Sequence, residues 1–183
     1  NGTAHLKLEG VVCDKHSDLE LLLFVAASLA GDLIPLGRHQ GVARDCWTKH
    51  LDVTCMGVQQ TDLTGNSTTE AAAFALVYSL PSEAFPVCEL LNMLLGRKVL
   101  LRINEDNTAT INVLKGIQRN TSPRSADAQI NLGVVTGDLE ADCGGLKLEH
   151  VETDKQCAYI FTKDLAPAKW PNALQLRGFN TVE

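Results

Sequence analysis

Apolar and polar positions along the chain fall into a succession of strand-like and helix-like stretches. Leu19–Ser28 is a dense apolar run ended by Gly31-Asp32 and predicts a buried strand. Gly41–Trp47 and Leu51–Gln59 predict two further strands, bounded by His39-Gln40 and by the turn cluster Thr61–Ser67. Thr64–Thr68 supplies turn and cap chemistry ahead of the Ala-rich run Glu70–Tyr78, so a helix begins there, and Pro81 is expected to limit it. A second helix is expected over Glu83–Leu95, closed by Gly96. Lys98–Ile103 alternates apolar with basic residues and predicts a strand, which leads into Glu105-Asp106-Asn107 and a helix to about Lys115. Asn120–Arg124 reads as a loop, Ala126–Glu140 as a weakly patterned helix and Leu146–Val151 as a strand. Asp154–Lys163 and Ala166–Leu176 predict terminal helices, the second with Pro167 in its first turn. Three sequential strands suggest an antiparallel meander, and the later strands separated by helices suggest parallel crossovers. The pattern therefore predicts a mixed α/β sheet.

Length and composition narrow this further. The 183 residues suit one domain spanning 1–183, with 154–183 as a C-terminal helical tail. Hydrophobic residues make up 45% and charged residues 21%, enough apolar material for a core without disulfide or metal support. The net charge of −6 argues against a nucleic-acid binder, which usually carries a positive footprint. The longest apolar run, Leu21–Ala30, is about half the length of a membrane span, so no span is expected. Asn1–His5 has no basic segment leading into an apolar one, and no secretory signal is read there. The six cysteines are widely and irregularly spaced without CxxC, which suits reduced thiols in an intracellular protein; the sequons at Asn1, Asn66 and Asn120 are then chance matches.

The C-terminal third carries the most specific resemblance. Asp154–Lys163, Pro167–Trp170 and Leu176–Phe179 resemble the end of a copia-type retrotransposon polyprotein, whose RNase H domain closes with a "Q-x-A-D-I-F-T-K" helix and a short final helix. Leu23–Asp32 is similar to the family's first strand, "D-A-S/D-x-A-G-D". Ser67–Leu76 resembles "S-T-x-E-A-E-Y-x-A-L", and Glu105–Ile111 resembles "E-D-N-x-x-x-I". The resemblance covers nearly the whole chain in the family's order. It implies an RNase H-like mixed five-stranded sheet, an antiparallel meander plus parallel strands, flanked by helices.

RNase H chemistry cuts the RNA strand of an RNA–DNA hybrid with two Mg²⁺ ions held by clustered carboxylates. Carried onto this sequence, the first-strand Asp position is Ala26, the helix Glu position is Ala72, and the late-helix position is Asn131; only Asp106 keeps its carboxylate. Glu70 and Asp127 are wrongly placed on their expected helices to substitute, and Asp32 lies beyond the strand end. The family's Tyr after the helix Glu is Ala73, and the Asp of its terminal motif is Tyr159. The resemblance thus implies a diverged, catalytically degenerate domain with no catalytic residues and no cofactor. Asp106 is expected to cap the following helix rather than bind metal.

Other chemistry is sparse. Cys13-x-x-His16 and Cys46-x-x-x-His50 hold the donors of a Cys₂His₂ zinc site, but they read as unrelated segments, and no metal site is assigned. Ser28 and His150 lack a third partner for nucleophilic catalysis, and no phosphate-loop or nucleophile-elbow motif occurs. Lys98, Arg102, Lys115, Arg119 and Arg124 form a modest basic rim on the side that meets the hybrid in the family. Trp47 and Trp170 read as core or interface anchors. The expectation is a non-enzymatic structural or interaction subunit of a larger intracellular assembly, nuclear, mitochondrial or plastid. Its partners would be other protein subunits, with RNA a further candidate. The alternatives are a Mg²⁺-dependent RNA–DNA hybrid ribonuclease built on Asp106, or a non-catalytic nucleic-acid-binding module.

Overall fold

Leu21, Leu23 and Val25 alternate with Leu22, Phe24 and Ala26, and the two sets face opposite sides of a sheet. The computed structural model describes residues 6–8, 15–27, 46–47, 68–119, 145–162, 165–176 and 179–181. Its strands are β1 (Leu6–Leu8), β2 (Leu21–Phe24), β3 (Cys46–Trp47), β4 (Leu101–Glu105), β5 (Leu146–His150) and β6 (Phe179–Thr181). The main sheet has the order β3-β2-β4-β5. β3 runs antiparallel to β2, whereas β2, β4 and β5 are mutually parallel. The chain is therefore mixed α/β, as its pattern predicts. The described sheet has four strands rather than five, and the expected strand Leu51–Gln59 lies outside the described residues, as do Asn120–Arg124 and Ala126–Glu140.

Parallel neighbours require crossovers, and helices supply them. Between β2 and β4 the chain passes through α1 (Thr68–Ser79) and α2 (Phe85–Leu95); between β4 and β5 it passes through α3 (Thr108–Arg119). Leu21, Leu23, Val25, Leu101 and Ile103 pack against Ala73, Ala75 and Leu76 of α1, Cys88 of α2 and Leu114 of α3. Each large side chain buried in this layer contributes about 1.5–3 kcal/mol. On the opposite face, Phe24 and Ala26 pack with Cys157 and Ala158. Cys88 and Cys157 are buried free thiols.

Pro81 does not end the helix. A π-helical turn, Leu80–Ala84, joins α1 to α2, and Phe85 N–H donates to the Leu80 carbonyl. The wider turn accommodates a residue with no N–H, and Ser82 Oγ donates to the Tyr78 carbonyl at 2.7 Å. α2 ends as expected at Gly96, whose φ of 63° lies in the left-handed region. The next strand is displaced from Lys98–Ile103 to Leu101–Glu105. Asn92 Oδ1 accepts the Val99 N–H at 2.7 Å and holds that stretch as a connection, while Asn104 and Glu105 go on to pair with β5.

The terminal helices are shorter than expected. In place of one helix over Asp154–Lys163 there is a 3₁₀ turn, Thr153–Lys155, and a four-residue helix, α4 (Tyr159–Thr162). Gln156 between them is extended and buried, because its side chain is bonded to the sheet. Ala166–Leu176 likewise divides into a 3₁₀ turn, Pro167–Lys169, and α5 (Trp170–Gln175). The tail also carries a strand that the pattern did not suggest: β6 pairs antiparallel with β1, Leu6 opposite Thr181 and Leu8 opposite Phe179.

Ile103 is 2% exposed at the centre of the parallel strands. Ile103→Ala is expected to lower unfolding stability by about 2–5 kcal/mol, read as a fall in the urea midpoint at constant m-value.

Candidate functional site

Parallel strands bring their C-terminal ends to one edge, where open α/β sheets generally place their ligands. In the β2–β4 register Phe24 lies opposite Asn104, so Ala26 and Asp106, each two residues further on, leave the sheet at that edge. Ala26 is buried in the cluster with Cys157 and Ala158 and offers only a methyl group. Asp106 is half-buried, and its Oδ2 accepts a hydrogen bond from the Tyr159 hydroxyl at the start of α4. Asp106 and Tyr159, the latter at the position where the terminal motif of the resemblance has an Asp, therefore meet as a carboxylate and a phenol.

Gln156 organises this edge. Its Nε2 donates to the Val25 carbonyl at 3.2 Å and the Asn104 carbonyl at 3.4 Å, bridging the ends of β2 and β4. Its Oε1 accepts the Ala158 N–H at 3.3 Å. One carboxamide thus supplies partners to three main-chain groups where the strand ladder stops. The sequence reading missed this role; the available signal was a polar residue directly before the apolar pair Cys157-Ala158 in the terminal motif.

Asp106 does not cap the helix that follows. Asn107 does so: its Oδ1 accepts the N–H groups of Ala109 at 3.0 Å and Thr110 at 3.3 Å. Asp106 is one position too early for that geometry and is bonded to Tyr159 instead. Glu105, 1% exposed, was also missed; its Oε1 accepts the Asn107 N–H at 3.1 Å and so supports the cap.

The remaining positions are dispersed. Ala72 is buried on α1, whose neighbouring Ala73, Ala75 and Leu76 pack on the sheet face opposite Ala26. Asn131, Arg124 and Ser28 lie outside the described residues, as do Cys13 and His50 of the zinc pattern, while His16, Cys46 and Arg119 are described in backbone only. His150 is exposed at the end of β5, and Lys115 is exposed on α3. Trp170, expected as an anchor, is 42% exposed and donates from Nε1 to the Leu165 carbonyl.

Lys98 and Arg102 line a cleft of about 800 Å³ on the second sheet face, together with Arg97, Lys155, Asp18 and Glu20. Arg102 is committed to carboxylates: it bonds Glu149 at 2.6 Å and Glu20 at 2.7 Å. These hydrogen bonds, Glu149 first and then Glu20, hold its pKa above the usual arginine value. Arg102 is thus a strut across β2, β4 and β5 rather than an open cation on the rim.

Two Mg²⁺ ions need several converging carboxylates. At the strand ends the donor set is Asp106, already accepting from a phenol, and Glu105, whose Oε1 accepts the Asn107 N–H, with an alanine methyl at position 26, and this does not fit a two-metal centre. No group of three or more His, Cys, Asp or Glu side chains suited to a metal occurs among the described residues. No helix among them is long and apolar enough to cross a membrane. Comparison with protein families, with curated proteins and with solved structures found no match to this chain.

Two predictions follow from the strand-end geometry. Gln156→Leu removes the bridge, takes its donor from the Val25 carbonyl and leaves the Asn104 carbonyl with the Val25 N–H alone, so stability is expected to fall by about 1–3 kcal/mol in urea unfolding. The Tyr159 hydroxyl has its pKa raised well above the usual tyrosine value, by burial first and then by its bond to the Asp106 carboxylate. Because the folded-state pKa lies above the unfolded one, the associated stability is fully present below about pH 10 and is lost as pH rises further. An alkaline absorbance titration near 295 nm is expected to show a late phenolate step that disappears in Tyr159→Phe.

Proposed function

We propose that this chain is a catalytically degenerate RNase H-like domain of copia-type retrotransposon descent, working as a structural or interaction subunit of a larger assembly inside the cell. Its partners are other protein subunits, with RNA the second candidate, and a nuclear, mitochondrial or plastid machine fits equally. The mixed sheet supports this reading: an antiparallel pair, β3–β2, continues into parallel β4 and β5 in the manner the resemblance implies. The observation that carries the loss of catalysis is the Asp106–Tyr159 hydrogen bond beside Ala26. Where hybrid hydrolysis needs a cluster of open negative charge to draw in metal, this edge offers Asp106 with a phenol docked on it and Glu105 bonded to the helix cap.

Replacement of buried carboxylates by alanine removes like-charge repulsion and desolvation cost in one step. An inactive domain of this kind holds together without metal and leaves its surfaces to contacts with other molecules. Fold alone does not decide function, and the reading rests on the chemistry at the strand ends.

The test is incubation of the purified chain with an RNA–DNA hybrid in Mg²⁺ and then in Mn²⁺. The expected result is no cleavage above the protein-free control. Cleavage by the parent chain that Asp106→Asn abolishes would establish the ribonuclease alternative instead. Gradient sedimentation of native extract is expected to carry the chain far above 19.8 kDa, and migration as a free monomer would sink the subunit reading.

A further inference from the structure

The cleft on the second sheet face, about 800 Å³, has the size of a small-molecule site. Its floor is apolar: Leu22, Phe24 and Val151 line it and belong to the cluster packed around Cys157 and Ala158. One polar side chain interrupts that floor. Asn104 follows Arg102 by two residues on β4, projects from the same sheet face and is 8% exposed. Its main-chain carbonyl is well used, accepting from the Val25 N–H and from Gln156. Its side-chain Nδ2 is withdrawn from water and has no hydrogen-bond partner among the described residues. A buried amide in this state carries the desolvation cost of a hydrogen bond that is not made, and native proteins leave few of them.

The charges around the cleft do not select its ligand. Arg102 is bonded to Glu20 and Glu149, Lys155 to Glu152, and Arg97 donates to the carbonyls of Leu19 and Lys98. An anion would compete with partners already in place. The Asn104 carboxamide is the group whose bonding the fold leaves unmet. Its terminal torsion is broad, so a half-turn presents the amide hydrogens to the cleft without moving β4. An acceptor oxygen seated on the floor then supplies the missing partner, while the remainder of the ligand covers apolar side chains.

We propose that this cleft binds a small neutral molecule with an apolar body and a carbonyl oxygen. The body rests on Leu22, Phe24 and Val151, and the oxygen accepts from Asn104 Nδ2. The site lies on the sheet face and is independent of the loss of catalysis at the strand ends and of the subunit role proposed above.

The probe is benzamide, titrated into the isotope-labelled full chain and followed by proton–nitrogen correlation NMR, with toluene and benzoate as comparisons. Benzamide is expected to bind saturably, in the millimolar range that suits so few atoms, and to shift the side-chain NH₂ pair of Asn104. Toluene, the same ring without an acceptor, is expected to bind about tenfold more weakly, the worth of one hydrogen bond, and benzoate no more tightly than benzamide. Asn104→Leu, similar in shape, is expected to erase the preference for benzamide over toluene. Its urea midpoint is expected to match or exceed that of the parent, because no bond of Nδ2 is lost. Equal affinity of the parent for benzamide and toluene overturns the proposal. So does the absence of saturable binding, a set of shifts confined to residues outside the cleft, or a preference that survives in Asn104→Leu. Tighter binding of benzoate than of benzamide overturns the neutral class and makes the cleft an anion site.

Discussion

The parallel pairing of β2 with β4 is the constraint on which the rest of the structure depends. Leu21–Phe24 and Leu101–Asn104 are far apart in sequence and lie side by side in register. A parallel pair cannot be closed by a tight turn, so the intervening chain must leave the sheet and return. That requirement accounts for the α1–π-turn–α2 run, which carries the chain through two prolines without a gap in the helical residues. It also produces two unlike sheet faces. One is sealed by the crossover helices; the other is left to the C-terminal segment and to the cleft lined by Arg97, Lys98 and Arg102.

Each strand end in such a sheet leaves main-chain groups that the ladder no longer satisfies. Gln156 meets that need at β2 and β4 together, and this outweighs local helix preference. A continuous helix over Asp154–Lys163 would satisfy its own main chain but could not hold Gln156 extended between two carbonyls. The cost of interrupting a short, exposed helix is small beside the cost of burying unbonded carbonyls. Arg102 serves the same purpose laterally. A half-buried guanidinium between Glu20 and Glu149 fastens the polar face of three strands where no helix among the described residues covers them.

Much of this was legible in the sequence where a residue's role is local. Strand β5, helix α2 with its Gly96 terminus, and the helix starting after Asn107 all follow from periodicity and capping chemistry. What escaped was carried by particular hydrogen bonds rather than by periodicity. The displacement of β4 to Leu101–Glu105 depends on Asn92, seven residues earlier, accepting the Val99 N–H, a bond that hydropathy does not signal. The passage of a helix through Pro81 depends on a π turn closed by Phe85 and Leu80. The pairing of β1 with β6 joins segments from the two ends of the chain and left no periodic trace in three-residue strands. At the strand ends, the resemblance singled out positions 26 and 106, but nothing in the sequence pointed to Tyr159 as the partner of Asp106. The helix-cap expectation was local, and a tertiary contact from Tyr159 prevailed over it.

The joint at this edge has a coherent electrostatic logic. A carboxylate partly withdrawn from water is stable only when a donor or a cation offsets its desolvation. An alanine at position 26 lets the C-terminal segment close directly on β2 through Cys157 and Ala158. A tyrosine at position 159 supplies a neutral donor to the Asp106 carboxylate. The two residues act in concert: the methyl group permits close packing, and the phenol satisfies the charge that the packing partly buries. The tail is thereby fastened to the sheet in a packed, hydrogen-bonded joint.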